Sequence, residues 1–459
     1  MLMDLRIDRQ ALVPVVQQIV DALSCWLRCN DVVPGARLPS VRQIARINLL
    51  SQSSVVEACE RLVAQGLLES RHGAGFVVAA STGFALGPQD EGTDITQHSM
   101  LCELQLGSGG LPESWRETDD LAYAIRQVSR TDMAGLFNYS TPLGLPALRQ
   151  QIARRLSQLD MCIEEDRILT TAGASQALDL IVRTLLEPGD CVVVESPGYP
   201  MLFELLRLHG VRMHEVARTP RGPDIAALEA LLQEHRPRGL FINSFHHNPT
   251  GCCLTPVVAQ RLLQLAKTYG VQVIEDDVYA DLHSGPGKRL AALDNSVIYV
   301  GSYSKTLSSS LRVGFVAAGA EVIARLAEVK MISSLGASRF CESVLACLLA
   351  SGAYRKLVQR QRQRLNSDRL ATLQLLEDAE WEVFGKPSGG LFIWARSRTF
   401  DDGQVRSYAR RFGISLSSKT AFSPNGEACG WQRINVACAC DPRARAFFQA
   451  TAQDRPQAS

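Results

Sequence analysis

Residues 301 to 314 read GSYSKTLSSSLRVG, a stretch that follows the apolar run SVIYVGS (296 to 302) and sets one lysine among hydroxyls. Arg312 comes seven residues after Lys305. A lysine that attacks a carbonyl needs desolvation to lower its pKa, and a phosphorylated cofactor needs hydroxyl donors with a fork-shaped cation nearby. Lys305, Ser302 and Arg312 supply these three things. Taken alone, the stretch reads equally well as a solvated lysine in a serine-rich loop. Its setting decides the fold: CVVVE (191 to 195), GLFINS (239 to 244) and VQVIEDD (271 to 277) are further short apolar runs between helical stretches. Strands of that kind are buried on both faces, and their separation by helices predicts a mostly parallel α/β sheet.

Four more segments point to the same chemistry. In VIEDDVYADL (273 to 282), Asp276 stands at a strand end with Tyr279 three residues on. This suits a carboxylate that keeps a pyridine nitrogen protonated and a phenol that bonds a ring hydroxyl. HHNPTG (246 to 251) offers Asn248 as a second ring-hydroxyl donor. TAGASQALDL (171 to 180) is a small-residue turn entering a helix, where the backbone N–H groups of Ala174 and Ser175 and the Ser175 hydroxyl can cradle a phosphate. ESPGYP (195 to 200) presents Tyr199 to stack on a ring. Each has a plain structural reading as a cap or turn; together, in this order, they specify a pyridoxal phosphate site.

The front of the chain differs. Residues 12 to 28 place Val15, Val16, Ile19, Val20, Leu23, Trp26 and Leu27 on one helical stripe. A second helix is expected from about Ser40 to Ile47. A third opens at SQSS (51 to 54), buries Val55, Cys59, Leu62 and Val63, and ends at Gly66. LLESRHGAGFVVAA then reads as two strands around a glycine turn. Three helices and a hairpin make a winged helix-turn-helix, whose third helix enters the major groove. Ser51, Gln52, Ser53 and Ser54 would meet base edges and phosphates there. Arg37, Ser40 and Arg42 would grip the backbone, and His72 and Gly73 in the wing would approach the minor groove. Residues 1 to 80 hold eight arginines against seven carboxylates, a low positive balance that leaves open a winged helix that binds protein.

Length and composition fit this plan. The chain has 459 residues, 46% hydrophobic and 21% charged, with Lys plus Arg (48) nearly cancelling Asp plus Glu (47). It is globular and of several folding units, and no global field draws it to nucleic acid. The 13 cysteines lack the paired spacing of a zinc site or a disulfide framework, so no metal is expected, and Cys252 and Cys253 read as inert thiols. No run of 18 apolar residues occurs, so no membrane contact and a cytoplasmic location are expected. Residues 81 to 100 lack periodicity and read as a linker between a head (1 to 80) and a large module (101 to 455).

The head, from GARLPSVRQIA through RHGAGFVV, resembles the GntR-type winged helix, and the large module resembles a fold-type-I, aspartate-aminotransferase-like PLP enzyme. The whole is similar to the MocR-type (GabR-like) regulators, a subfamily of GntR transcription factors. The resemblance implies a mostly parallel large domain with a smaller α+β C-terminal domain, and Lys305 as the residue that forms a Schiff base with pyridoxal 5'-phosphate. By motif, Asp276 pairs with the pyridine nitrogen, Asn248 and Tyr279 bond the ring oxygen, and Tyr199 stacks on the ring. Ala174, Ser175, Ser302 and Arg312 hold the phosphate, joined by Tyr139 of NYSTPLG from the partner of a head-to-tail homodimer. Arg433 in QRINVA matches the arginine that takes an amino acid's α-carboxylate. The expected activity is transcriptional regulation at a double-stranded DNA operator, with PLP or an amino compound as effector. The rival is an active aminotransferase with an accessory head, which brisk multiple turnovers with an ordinary amino acid would mark.

Overall fold

A computed structural model describes residues 5, 7, 14–29, 35–64, 67–71, 75–79, 104–115, 117–283 and 287–453. The chain divides into two compact units, Met1–Leu101 and Cys102–Ser459. The expected linker, 81 to 100, lies outside the described residues, as do Gly66, His72 and Gly73.

In the first unit, helices α1 (Val15–Cys29), α2 (Val41–Ile47) and α3 (Gln52–Ala64) are followed by strands β1 (Leu68–Arg71) and β2 (Gly75–Val78). The apolar stripe of α1 explains the packing: Ile19, Val20 and Leu23 are buried against Ile44 and Ala45 of α2 and Val55, Ala58, Cys59 and Leu62 of α3. Val63, expected in the core, is only half-buried, because it sits at the edge of the stripe that Val55, Cys59 and Leu62 define. Ser40 precedes α2 as its N-cap and forms a capping box with Gln43, which satisfies backbone donors that a helix start leaves orphaned. β1 and β2 pair antiparallel from Leu68 opposite Val78 to Arg71 opposite Gly75, so the hairpin stands where the sequence places the wing.

The second unit is built on an eight-stranded sheet. A short strand β3 (Leu104–Gln105) comes first, then β4 (Ile168–Thr171), β5 (Cys191–Ser196), β6 (Arg212–Thr219), β7 (Gly222–Pro223), β8 (Gly239–Ile242), β9 (Gln272–Asp276), β10 (Ile298–Ser302) and β11 (Gly314–Ala317). Their order in the sheet is β4-β11-β10-β9-β8-β5-β6-β7. β10, β9, β8, β5 and β6 are mutually parallel, whereas β11 runs antiparallel to both its neighbours. All residues of β4, β8 and β11 are buried, as strands covered by helices on both faces must be. A smaller three-stranded antiparallel sheet gathers Trp381–Val383, Phe392–Ser397 and Gln432–Asn435 around a separate apolar cluster. The architecture is thus α/β, a winged helix followed by a large mostly parallel domain and a smaller α+β domain.

One buried polar knot ties the edge of the large sheet to the chain before it. Glu342 is fully buried and accepts hydrogen bonds from the Ser140 and Thr170 hydroxyls and from the Leu145 backbone N–H at 3.1 Å. Lys330, also fully buried, donates to the Pro142 carbonyl at 3.0 Å and feels the Glu342 charge. Removing one partner of such a pair leaves the other charge uncompensated in a low dielectric. Glu342→Ala is expected to destabilise the second unit by about 3–5 kcal/mol, read as a lowered urea midpoint of that unit's transition with the head's transition unmoved.

Candidate functional site

The parallel strands deliver their C-terminal ends to one cavity of about 380 Å³, the place where open α/β sheets bind ligands. Ala174, Ser175, Tyr199, Asn248, Asp276, Tyr279, Ser302, Lys305 and Arg312 all line it. Asp276 closes β9 and Ser302 closes β10, with Lys305 three residues further. Tyr199 caps the helix Pro200–Leu208 just after β5. Of the expected cofactor residues, Tyr139 is set apart: it is 78% exposed and does not line this chain's cavity.

Lys305 keeps some surface open to the cavity, and its Nζ donates to the Gly109 carbonyl at 2.8 Å. Desolvation first, then the charges of Arg433 and Arg312, pull its pKa down to about 8 against the opposing pull of Asp276. Lys330 is also lowered to about 8, but it is not among the residues that line this cavity. A low pKa alone therefore does not single out a nucleophile; the cavity does. Asp276 is pushed up to about 7, chiefly by burial, despite a hydrogen bond from the Val278 backbone N–H at 3.3 Å. A carboxylate so placed gains from a cationic partner. Burial also raises Tyr199, to about 12, where it bonds Ser175, and raises Tyr279, whose ring packs edge-on against Phe392.

The phosphate end is shaped by glycine. Gly173, at φ +83°, precedes the helix Ala174–Leu185. A Cβ there would fall 2.6 Å from Arg312 Nη2, and one on Gly314 would fall 2.6 Å from the Gly173 carbonyl carbon. The absence of both side chains lets the helix N-terminus, whose N–H groups point outward, and Arg312 converge on one point. Arg312 also donates to the Ala172 carbonyl at 3.1 Å. The donor set, the buried carboxylate and the glycine-walled cradle fit a phosphorylated pyridine aldehyde.

Arg433 is not among the residues that line the cavity, but it flanks Gly109 close to Lys305: a Cβ on Gly109 would fall 3.6 Å from Lys305 Nζ and 3.8 Å from Arg433 Nη2. Its Nη1 donates to Asn248 Oδ1 at 2.8 Å, its Nε and Nη2 to the Gly107 carbonyl at 3.0 and 2.6 Å, and its guanidinium sits 4.8 Å from both the Phe392 and Phe422 rings. Those contacts fix the guanidinium in place. Sequence reasoning missed several neighbours. Asn243, at the end of FINS, accepts from the Asn248 N–H at 2.7 Å and donates to the Asp276 carbonyl at 2.7 Å, locking two cofactor-facing turns together. Gly110, Leu111, Trp115 and Gln361 also line the cavity, and no motif in the sequence marks them.

In the head, Arg37, Ser40, Arg42, Ser51, Gln52 and Ser53 are exposed and Ser54 is half-buried. Ser51 accepts from the Ser54 N–H at 3.0 Å and shares hydrogen bonds with the Ser53 and Ser54 hydroxyls. It is thus the N-cap of α3, and Gln52 is left projecting at the helix start.

Comparison with known proteins agrees with both halves. Residues 103–445 match the family model of aminotransferase class I and II, and residues 15–78 match that of bacterial regulatory proteins of the gntR family. The uncharacterized HTH-type transcriptional regulator YdcR of Escherichia coli (strain K12) is 30% identical, over 92% of this chain and 94% of its own. The probable rhizopine catabolism regulatory protein MocR of Rhizobium meliloti is 26% identical, over 90% and 87%. Among solved structures, LysN, an α-aminoadipate aminotransferase from Thermus thermophilus complexed with N-(5'-phosphopyridoxyl)-L-leucine, superposes with a TM-score of 0.70. It is 27% identical, over 76% of this chain and 93% of its own. A gntR-type head and an aminotransferase-type body in one chain, matched end to end by regulators of the same build, show that the protein belongs to the MocR-type regulators of the GntR family.

Proposed function

We propose that the protein is a DNA-binding transcriptional regulator whose second unit binds pyridoxal 5'-phosphate and responds to PLP or an amino compound. The observation that carries this reading is the convergence of a low-pKa amine, a buried carboxylate and a helix N-terminus on one cavity, in a chain that also presents an exposed helix start for DNA. The cofactor supplies an aldehyde that condenses reversibly with primary amines.

The chain's own residues do the rest. Asp276 holds a proton on the ring nitrogen, and its raised pKa falls back once that cation faces it. Asn248 and Tyr279 donate to the ring oxygen, and Tyr199 covers one ring face. Ala174, Ser175, Ser302 and Arg312 hold the phosphate. Arg433 receives the carboxylate of an amino acid effector, a role supported by analogy with LysN, which was solved with a phosphopyridoxyl amino acid bound. Lys305, near pKa 8, is about one-tenth uncharged at pH 7, against under a thousandth for an ordinary lysine.

A homodimer completes this reading. Phe137 (86% exposed), Tyr139 (78%), Ile332 (86%) and Leu335 are large apolar side chains left exposed, which a second copy of the chain would cover. Tyr139 would then reach the phosphate of the partner's site. Lys305 would hold the cofactor, and an effector amine would compete with Lys305 for it. Such a ligand shifts DNA binding only by as much as its affinity differs between the two arrangements of heads.

Two outcomes are expected. The uncharged amine is the reactive form, so a lowered pKa moves reactivity down the pH scale. PLP uptake by the apoprotein, followed by absorbance, should rise with a midpoint near pH 8, and a midpoint near that of free lysine would refute the desolvation argument. In the head, Arg42→Ala should weaken binding to many DNA sequences alike and flatten the salt slope by about one unit, since a phosphate contact releases about one counterion. An unchanged slope in binding titrations removes Arg42 from the interface.

A further inference from the structure

We propose that His246, Cys253 and His283 form a site for one divalent transition-metal ion of the zinc type, a role that nothing in the cofactor chemistry assigns to them. His246 Nε2 lies 3.3 Å from His283 Nδ1, and the opposite ring nitrogen, Nδ1, lies 3.7 Å from Cys253 Sγ, so one ion would take only one of the two His246 nitrogens. Taking one ligand atom from each residue, all three lie within 4.8 Å of one another. None of the three lines the cavity around Lys305.

The 3.3 Å between ring nitrogens is within hydrogen-bond reach and is also a spacing that two ligands of one ion take. A tetrahedral ion with metal–nitrogen bonds of 2.0–2.1 Å and a metal–sulfur bond of 2.3 Å has ligand edges of roughly 3.3–3.7 Å. The imidazole pair already stands at that spacing, and the thiol closes the set with a shift of at most about 1 Å, within a swing of its short side chain.

The surroundings prepare the ligands. The His246 side chain is buried. Its ring is seated with little freedom. A Cβ on Gly389 would come 2.9 Å from His246 Cε1, and one on Gly390 would come 2.6 Å from its Cβ and Cγ. Its backbone is held at φ +49°, a left-handed conformation that a histidine adopts at a cost. The His283 ring rests 4.4 Å from Phe245. Cys253 is half-buried. The nearby cations Arg289 and Arg218 are each paired with a carboxylate, Asp277 and Glu195, and Arg369 donates to the Pro387 carbonyl at 3.0 Å. Thiolate plus two imidazoles is a ligand set that suits zinc and leaves a fourth position.

The position gives the ion a task. His246 and Cys253 bracket the turn that carries Asn248, and His283 follows the segment that carries Asp276 and Tyr279. An ion bound to all three would pin together the two segments that grip the cofactor ring. The cysteines show no zinc-type spacing because the ligands stand 7 and 30 residues apart along the chain, and only the fold gathers them.

Cobalt(II) is the probe. The full chain, freed of metal by a chelator and then titrated with Co²⁺, should saturate at one equivalent with a thiolate-to-cobalt charge-transfer band and tetrahedral visible bands that Zn²⁺ abolishes. Cys253→Ser should lose the charge-transfer band, the neighbouring Cys252→Ser should keep it, and His283→Gln should weaken Co²⁺ binding by roughly tenfold or more. Circular dichroism verifies that each variant folds, and if Cys253→Ser does not, the His283→Gln affinity decides. A band that survives Cys253→Ser, unchanged affinity in His283→Gln, or no saturable cobalt site in the wild type would overturn the assignment.

Discussion

The structure turns on an amine and a carboxylate held in one cavity without touching. Lys305 has its charge made costly by desolvation and by Arg433 and Arg312, and Asp276 has its own charge made costly by burial. In the proposed reading, a ring carrying an aldehyde and a basic nitrogen would answer both. Lys330 shows the contrast. Its pKa is lowered to about the same value, but it is fully buried, faced by Glu342 and bonded to the Pro142 carbonyl, and does not line the cavity.

Everything else in the second unit positions that pair. Five parallel strands bring Asp276, Ser302 and Asn243 to one edge of the sheet, and the reversed strand β11 brings Gly314 under the Gly173 turn. The small domain adds Arg433 between two phenylalanines. In the head, the same logic is simpler: a buried stripe fixes three helices, and what they cannot bury, Gln52 and the arginines before it, faces outward.

Much of this was legible in the chain because the chemistry is local. GSYSKTLSSSLRVG, VIEDDVYADL and HHNPTG each confine a reacting group and its neighbours to about ten residues, and buried parallel strands announce themselves as unbroken apolar runs. What stayed hidden is what the fold assembles over distance. β6, RMHEVART, alternates polar residues, and β4 and β11 are four residues each, too short for a period to show. The antiparallel direction of β11 leaves no mark on its composition. Gly109, Trp115 and Gln361 reach the cavity from segments up to 250 residues apart, and no motif joins them. Asn243 had a signal, a polar residue ending an apolar strand just before HHNPTG, that went unread.

The most direct measurement is to load the protein with pyridoxal 5'-phosphate, reduce it with borohydride, and map the phosphopyridoxyl group on its peptides by mass spectrometry. One group per chain, on the peptide that contains Lys305, is the predicted result. A group on Lys330 or another lysine, or no group at all, would contradict the account.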